Sequence, residues 1–107
     1  MKRYRVQLTA DAYADMQALY EHIAYILMSP GNAQGQYRRI AEAIKGLDIM
    51  PERFQLMDSE PERARGIRRM PVDNYNVFYT VQAERVVVLN VLYGGSDTVS
   101  RLNKEDL

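Results

Sequence analysis

Asn74-Tyr-Asn-Val-Phe-Tyr-Thr-Val81, then Gln82-Ala-Glu84, then Arg85-Val-Val-Val-Leu-Asn-Val-Leu-Tyr-Gly-Gly-Ser-Asp97 is the stretch that decides the fold. In the first run Tyr75, Val77, Tyr79 and Val81 share one face, while Asn76, Phe78 and Thr80 share the other. That is the two-residue period of a strand. In the second run, Val86 to Leu92 is apolar on both faces apart from Asn90. Such a strand belongs in the middle of a sheet, covered on each side. Gln82-Ala-Glu84 is short and polar, as a tight hairpin connection requires. Upstream, Ala64-Arg-Gly-Ile-Arg-Arg-Met70 reads as a third strand-like run, so the last third of the chain is predicted to fold as an antiparallel meander.

That upstream run is also the most basic in the protein. Arg63, Arg65, Arg68 and Arg69 follow one another with no acid between them, after a connection carrying Glu52, Asp58, Glu60 and Glu62. Two readings are open: a solvated loop beside a solvated strand face, or a contact surface.

Toward the N-terminus, Lys2 to Leu8 alternates Arg3, Arg5 and Gln7 with Tyr4, Val6 and Leu8, a half-buried strand. Thr9 is placed to cap a helix, its hydroxyl accepting from a free amide of the first turn. Met16, Leu19, Tyr20, Ile23, Ile26 and Leu27 then recur at helical spacing as one apolar stripe. Ser29-Pro30-Gly31-Asn32 is predicted to end that helix, and Asn32 to cap a second one. The second stripe is Ala33, Tyr37, Ile40, Ala41, Ile44 and Leu47, ending at Met50-Pro51. Two amphipathic helices joined by so short a turn form an antiparallel hairpin. Pro51 to Arg63, polar and holding two prolines, is predicted to be a loop. The order is β-α-α-β-β-β, an α+β fold in which an antiparallel sheet packs against an N-terminal helical hairpin, with residues 1–107 forming one domain.

Composition narrows the chemistry. The chain has 107 residues, enough for one unaided core, and no cysteine, so disulfides and thiolate catalysis are excluded. Fourteen basic residues balance fourteen acidic ones, so the whole surface is no polyanion trap. No apolar run approaches the roughly 20 residues that cross a bilayer, and the first residues lack the apolar stretch of a signal peptide. The sequence therefore predicts a soluble, cytoplasmic protein. His22 is the only histidine and falls on the flank away from the first stripe; no carboxylates show ligand spacing, and no metal or other cofactor is expected. Ser29, Ser59, Ser96 and Ser100 have no histidine in view to activate them. Gly94-Gly95 follows a strand but opens no helix, so it is no phosphate cradle. Most of the eight tyrosines fall in stripes or on strand faces. Tyr25 is the exception: it projects from the back of the first helix beside Ala14, Ala18 and Met28, a shallow apolar patch for a partner to cover.

The element order, together with Leu47-Asp-Ile-Met-Pro-Glu-Arg53, Gly66-Ile-Arg-Arg-Met70, Tyr75-Asn-Val-Phe-Tyr-Thr-Val81 and the Val86-to-Asp97 ending, resembles the RelE/ParE toxin superfamily. These are the toxin halves of bacterial type II toxin–antitoxin pairs, also called plasmid stabilisation proteins. The resemblance spans nearly the whole chain and implies a cognate antitoxin as partner, here assigned to Ala14, Ala18, Tyr25 and Met28. It implies one of two activities. ParE-like members inhibit DNA gyrase, with Arg65, Arg68, Arg69, Tyr93, Asp97 and Arg101 as the target contacts here. RelE-like members cut messenger RNA on the ribosome without metal, for which Arg68, Arg69 and Tyr93 would serve. Arg69 keeps one basic position of the ribonuclease pattern, but Asn76 and Gly95-Ser96 stand where further basic residues are usual. Each such donor is worth on the order of 3 kcal/mol at a transition state. The gyrase branch is therefore the favoured expectation, with the ribonuclease or an inactive, degenerate toxin as alternatives. Ser96 also stands where many ParE-like members have a basic residue before the aspartate, here Asp97.

Overall fold

The computed structural model describes residues 1–94. The hairpin forms as its alternation requires: β3 (Tyr75–Val81) runs antiparallel to β4 (Arg85–Tyr93), with Val81 opposite Val86 and Tyr75 opposite Tyr93. A second strand, β2 (Arg68–Val72), pairs antiparallel with the other side of β3 through a tight turn in which Asp73 takes φ +54°. The N-terminal strand, β1 (Arg5–Leu8), lies against β4, giving the order β1-β4-β3-β2. It pairs in parallel, Arg5 opposite Arg85 and Leu8 opposite Val88, so an antiparallel meander is completed into a mixed sheet. β4 is thus a central strand, and Val86 through Leu92 are all buried.

One run differs from expectation. Ala64 to Gly66 is turn rather than strand, because Gly66 sits at φ +75° and its amide bonds back to the Arg63 carbonyl at 3.0 Å. Glycine adopts that conformation without the steric penalty other residues meet. The strand begins only at Arg68.

Between β1 and β2 lie the two helices, α1 (Ala10–Glu21) and α2 (Pro30–Lys45). Thr9 caps α1 as its hydroxyl predicts, accepting from the Ala12 amide at 3.1 Å and donating to the Leu89 carbonyl at 2.8 Å. The second helix starts at Pro30, not Asn32. Proline has no N–H to lose in a first turn and brings the right φ, so it opens this helix rather than closing the previous one. Ala12, Met16 and Leu19 from α1, with Ile40 and Ile44 from α2, pack on Met70, Val77, Tyr79, Val86, Val88 and Val91 of the sheet. Tyr20 and Tyr37 meet edge to face across the hairpin at 6.1 Å. On α2, Arg39 (2.7 Å) and Gln36 (2.9 Å) both hold the Asp73 carboxylate, tying the helix to the β2–β3 turn. The Arg39 hydrogen bond, then that of Gln36, keep this carboxyl below its ordinary pKa.

The connection read as a polar loop does more than link. Leu56 bridges to Arg68, the Met57 amide donates to the Ile67 carbonyl at 2.8 Å, and the Arg69 amide to the Gln55 carbonyl at 3.1 Å. The segment thereby lies along the β2 edge and closes the sheet's second face over Ile67, Phe78, Val87, Leu89 and Leu92, with Met57 packed against them. It is also anchored through the core: the buried Tyr79 hydroxyl donates to the Pro51 carbonyl at 2.6 Å. Burial pushes the phenol up to about 12, against the lowering influence of Arg68 and Arg53. Tyr79→Phe leaves that carbonyl buried and unpaired, so it is expected to cost about 1–2 kcal/mol in urea unfolding. An unchanged midpoint would mean that the anchor contributes nothing.

Candidate functional site

The outer face of the hairpin is set by where α1 stops being an α-helix. From His22 to Ile26 the backbone widens into a π turn, with the Leu27 amide bonded to the His22 carbonyl at 3.0 Å. The extra residue in that turn rotates the next side chains away from the core. Ile26 and Leu27, which helical spacing assigned to the buried stripe, are 70% and 58% exposed. They join Tyr25 and Met28, exposed at 70% and 84%, in four consecutive solvent-facing apolar residues. Met28 holds φ +54°, an unusual left-handed conformation for a residue with a long side chain. Ala14 and Ala18 are exposed on the same helix. All four residues assigned to the antitoxin are thus on the surface, and Ile26 and Leu27 extend the patch beyond what periodicity reveals.

Beside this face, Asp15, Ala18, Leu19 and His22 of the hairpin line a shallow groove with Tyr75, Val91, Leu92 and Tyr93 of the sheet. The Tyr75 and Tyr93 rings stand edge to face at 5.7 Å. Burial, and secondarily Tyr93, raise the Tyr75 phenol above its ordinary pKa. Asp15 is tied to the sheet through the Asn90 amide group and the Val91 backbone N–H.

The arginines are dispersed. Arg65 lies on the turn before β2. Arg68 is half-buried and donates to the Phe54 carbonyl at 2.7 Å and the Glu52 carbonyl at 3.2 Å, holding the connection onto the strand. Arg69 is exposed, in a cleft lined by Arg53, Phe54, Gln55, Met57 and Pro71. Side chains alternate along β2. Met70 faces the helices, so Arg69 faces the opposite side, level with Phe78. Tyr93 and its neighbour Tyr75 lie on the helix side. Arg69 and Tyr93 are therefore on opposite faces of the sheet. Arg68 shares a face with Tyr93 but aligns, through Tyr79, with Val88, five residues back along β4. At about 3.3 Å per residue that is roughly 16 Å along the strand alone. The three residues named for RNA cleavage do not converge. Asp97 and Arg101 lie outside the described residues, as does the Gly95-Ser96 pair.

Among the described residues no group of three histidines or carboxylates is placed to hold a metal ion, and no helix is long and apolar enough to cross a membrane. What the geometry offers is contact surface: an apolar hairpin face, a tyrosine-walled groove, and a separate arginine-bearing edge.

The sequence model for the ParE toxin of type II toxin–antitoxin systems (parDE) matches residues 6–98. Among solved structures, the chromosomal ParDE toxin–antitoxin system of P. aeruginosa contains a chain with a TM-score of 0.71 at 22% identity. The alignment covers 85% of this chain and 96% of that one. A chain of the toxin–antitoxin complex RelBE2 from Mycobacterium tuberculosis gives 0.61 at 21% identity, covering 87% and 93%. At these identities the structural likeness speaks for the fold. Among curated proteins no sequence matches.

Proposed function

Because the chain belongs to the family of ParE toxins of type II toxin–antitoxin systems, we propose that it inhibits DNA gyrase in the bacterial cytoplasm and is kept silent by a cognate antitoxin. The observation that carries the gyrase reading over cleavage of messenger RNA on the ribosome is the separation of Arg68, Arg69 and Tyr93. Metal-free cleavage of RNA needs its cations and its proton donor around one phosphate. Here one arginine is spent on backbone carbonyls, and the other lies across the sheet from the tyrosine. Asn76, neutral where the ribonuclease pattern is basic, points the same way. Target contact then falls to Arg65, Arg69 and Tyr93, with Asp97 and Arg101 further along the chain, while Arg68 holds the Pro51–Arg63 connection onto β2. The antitoxin covers the hairpin face around Ala14, Ala18, Tyr25 and Met28.

The test is supercoiling of relaxed plasmid by purified gyrase in the presence of the purified protein. Loss of supercoiling with accumulation of cleaved DNA at micromolar protein is the expected result. Full supercoiling, together with cleavage of ribosome-bound messenger that Arg69→Ala abolishes, would replace the gyrase reading with the ribonuclease one.

A further inference from the structure

One end of the sheet sets two arginines side by side on the face that turns away from the helices. Tyr4, Val6 and Leu8 pack on the helix side, so the alternation of β1 puts Arg5 and Gln7 on the other. In β4, Val86 and Val88 pack on the helix side and Val87 on the other, which places Arg85 on the same face as Arg5. The two are partners in the parallel register, on strands about 4.8 Å apart. Like charges paired across strands disfavour a sheet.

The Arg85 guanidinium is nevertheless held in one orientation. Its Nε donates to Gln82 Oε1 at 2.7 Å, and its Nη1 donates to Gln7 Oε1 at 3.2 Å. Both acceptors are neutral amides, which fix the fork without neutralising it. A glutamate at either position would do both. Lys2 adds a cation at the rim, where its Nζ donates to the Ala83 carbonyl at 2.6 Å. Arg3 is paired with Asp48 at 2.7 Å and adds no net charge. The acid in the adjoining turn is Glu84, which is exposed.

We infer that Arg5 and Arg85 form a contact site for the phosphate backbone of duplex DNA, with Gln7 and Gln82 as positioning residues. The inference rests on the gyrase reading and extends it to the DNA that gyrase holds, since Arg69 lies on this same face of the sheet. Guanidinium forks match phosphate oxygens in geometry as well as charge. Arg5 is exposed and Arg85 half-buried, so both are open to a backbone passing across the strand ends. The side chains around them, Gln7, Gln82, Ala83 and Glu84, are polar or small. A protein-binding patch is centred on aromatic or aliphatic anchors, whereas phosphate contacts need only cations and polar donors. Because the chain as a whole carries no net charge, DNA affinity depends on this patch and not on general attraction.

The experiment follows the anisotropy of a labelled DNA duplex of about 20 base pairs, titrated with the full chain between about 50 and 200 mM salt. Binding is expected in the range of about 10 µM at low salt, weakening with a log–log salt slope of about −2 to −3. Arg5→Gln with Arg85→Gln should lower the low-salt affinity about tenfold and reduce the slope by about 2. Arg5→Gln alone, at an exposed position, should act in the same direction by about threefold, which keeps the test intact if the double variant does not fold. Gln7→Leu with Gln82→Leu keeps every cation, so the slope should stay while affinity falls about threefold. Arg38→Gln removes an exposed charge from α2 and should change neither quantity. No binding at low salt, an equal loss in Arg38→Gln, or equal affinity for a polyglutamate peptide would each overturn the inference. Gyrase supercoiling separates the two readings. Inhibition by a protein with no affinity for the duplex removes the DNA contact and leaves the gyrase reading standing. Duplex binding through Arg5 and Arg85, by a protein without effect on supercoiling, upholds the site and removes the gyrase reading.

Discussion

Phe78→Ala is expected to lower the stability of the protein by about 3–5 kcal/mol, the largest effect of any single truncation on the sheet's second face. Phe78 is fully buried and forms the centre of the small cluster with Ile67, Val87, Leu89 and Leu92. That cluster is covered by the connection before β2, a segment with short backbone attachments to the sheet and little secondary structure of its own. Removing the ring therefore opens a cavity under a cover whose hydrogen bonds to the sheet edge and to Arg68 and Tyr79 hold it in place and keep it from collapsing to fill the space. The loss is a large share of the roughly 5–15 kcal/mol that holds a domain of this size together. Phe78→Leu, which retains most of the volume, should cost only about 1 kcal/mol. Urea unfolding of the three proteins decides the matter. If alanine costs no more than leucine, the second cluster contributes little and the connection is an ordinary surface loop.

The contrast between the two faces of the sheet explains what was legible in the sequence. The helix side is built by regular elements, so Met16, Leu19, Ile40, Ile44, Val77 and Val86 announce themselves by spacing. The other side is closed by Met57 and Ile67, at irregular intervals in a stretch otherwise rich in charge. No period marks them, and only the two-faced burial demanded by Val86–Leu92 signals that such a cover must exist. The parallel pairing of β1 is hidden for a related reason. Alternation identifies a strand but carries no information on which neighbour it takes.

The candidate surfaces divide in the same way. Tyr25 and Met28 were legible because they fall off the apolar stripe. Ile26 and Leu27 were not, because they continue it, and only the π turn, which has no signature here, carries them outward. Arg68 and Arg69 are adjacent and identical in type, yet one is a structural tie and the other an exposed cation beside a cleft. The difference is that two carbonyls of the Pro51–Arg63 connection come within reach of Arg68. Such acceptors are placed by tertiary structure, and no local pattern in the sequence encodes them.

Asp15→Ala is expected to cost about 2–4 kcal/mol, more than an exposed helix carboxylate could. The reason lies at the end of β1. That strand stops at Leu8, opposite Val88, so β4 continues for several residues with no strand on that side. The register with β3 also shifts there: Tyr79 faces Val88 and Phe78 faces Asn90, leaving Leu89 without a partner of its own. Thr9 takes up part of the gap through the Val88 and Leu89 carbonyls. The Val91 amide then has the Asp15 carboxylate, at 2.9 Å, and the same oxygen accepts from Asn90 Nδ2 at 3.0 Å. Alanine strips an ionised acceptor from a buried backbone N–H, and the loss of that amide's desolvation compensation dominates the cost. Asp15→Asn keeps the shape and a neutral acceptor, so it should lose only about 1–2 kcal/mol. Amide exchange adds a local readout: Val91 should lose protection in the alanine variant beyond what global destabilisation explains, whereas Val86 should track the global value. Because the strand leads directly into Tyr93, the Asp15 tie also fixes the tyrosine wall of the groove against α1. If Asp15→Ala and Asp15→Asn unfold at the same urea concentration as the parent, the end of β4 is held by pairing with β3 alone, and nothing ties the groove's tyrosine wall to the hairpin.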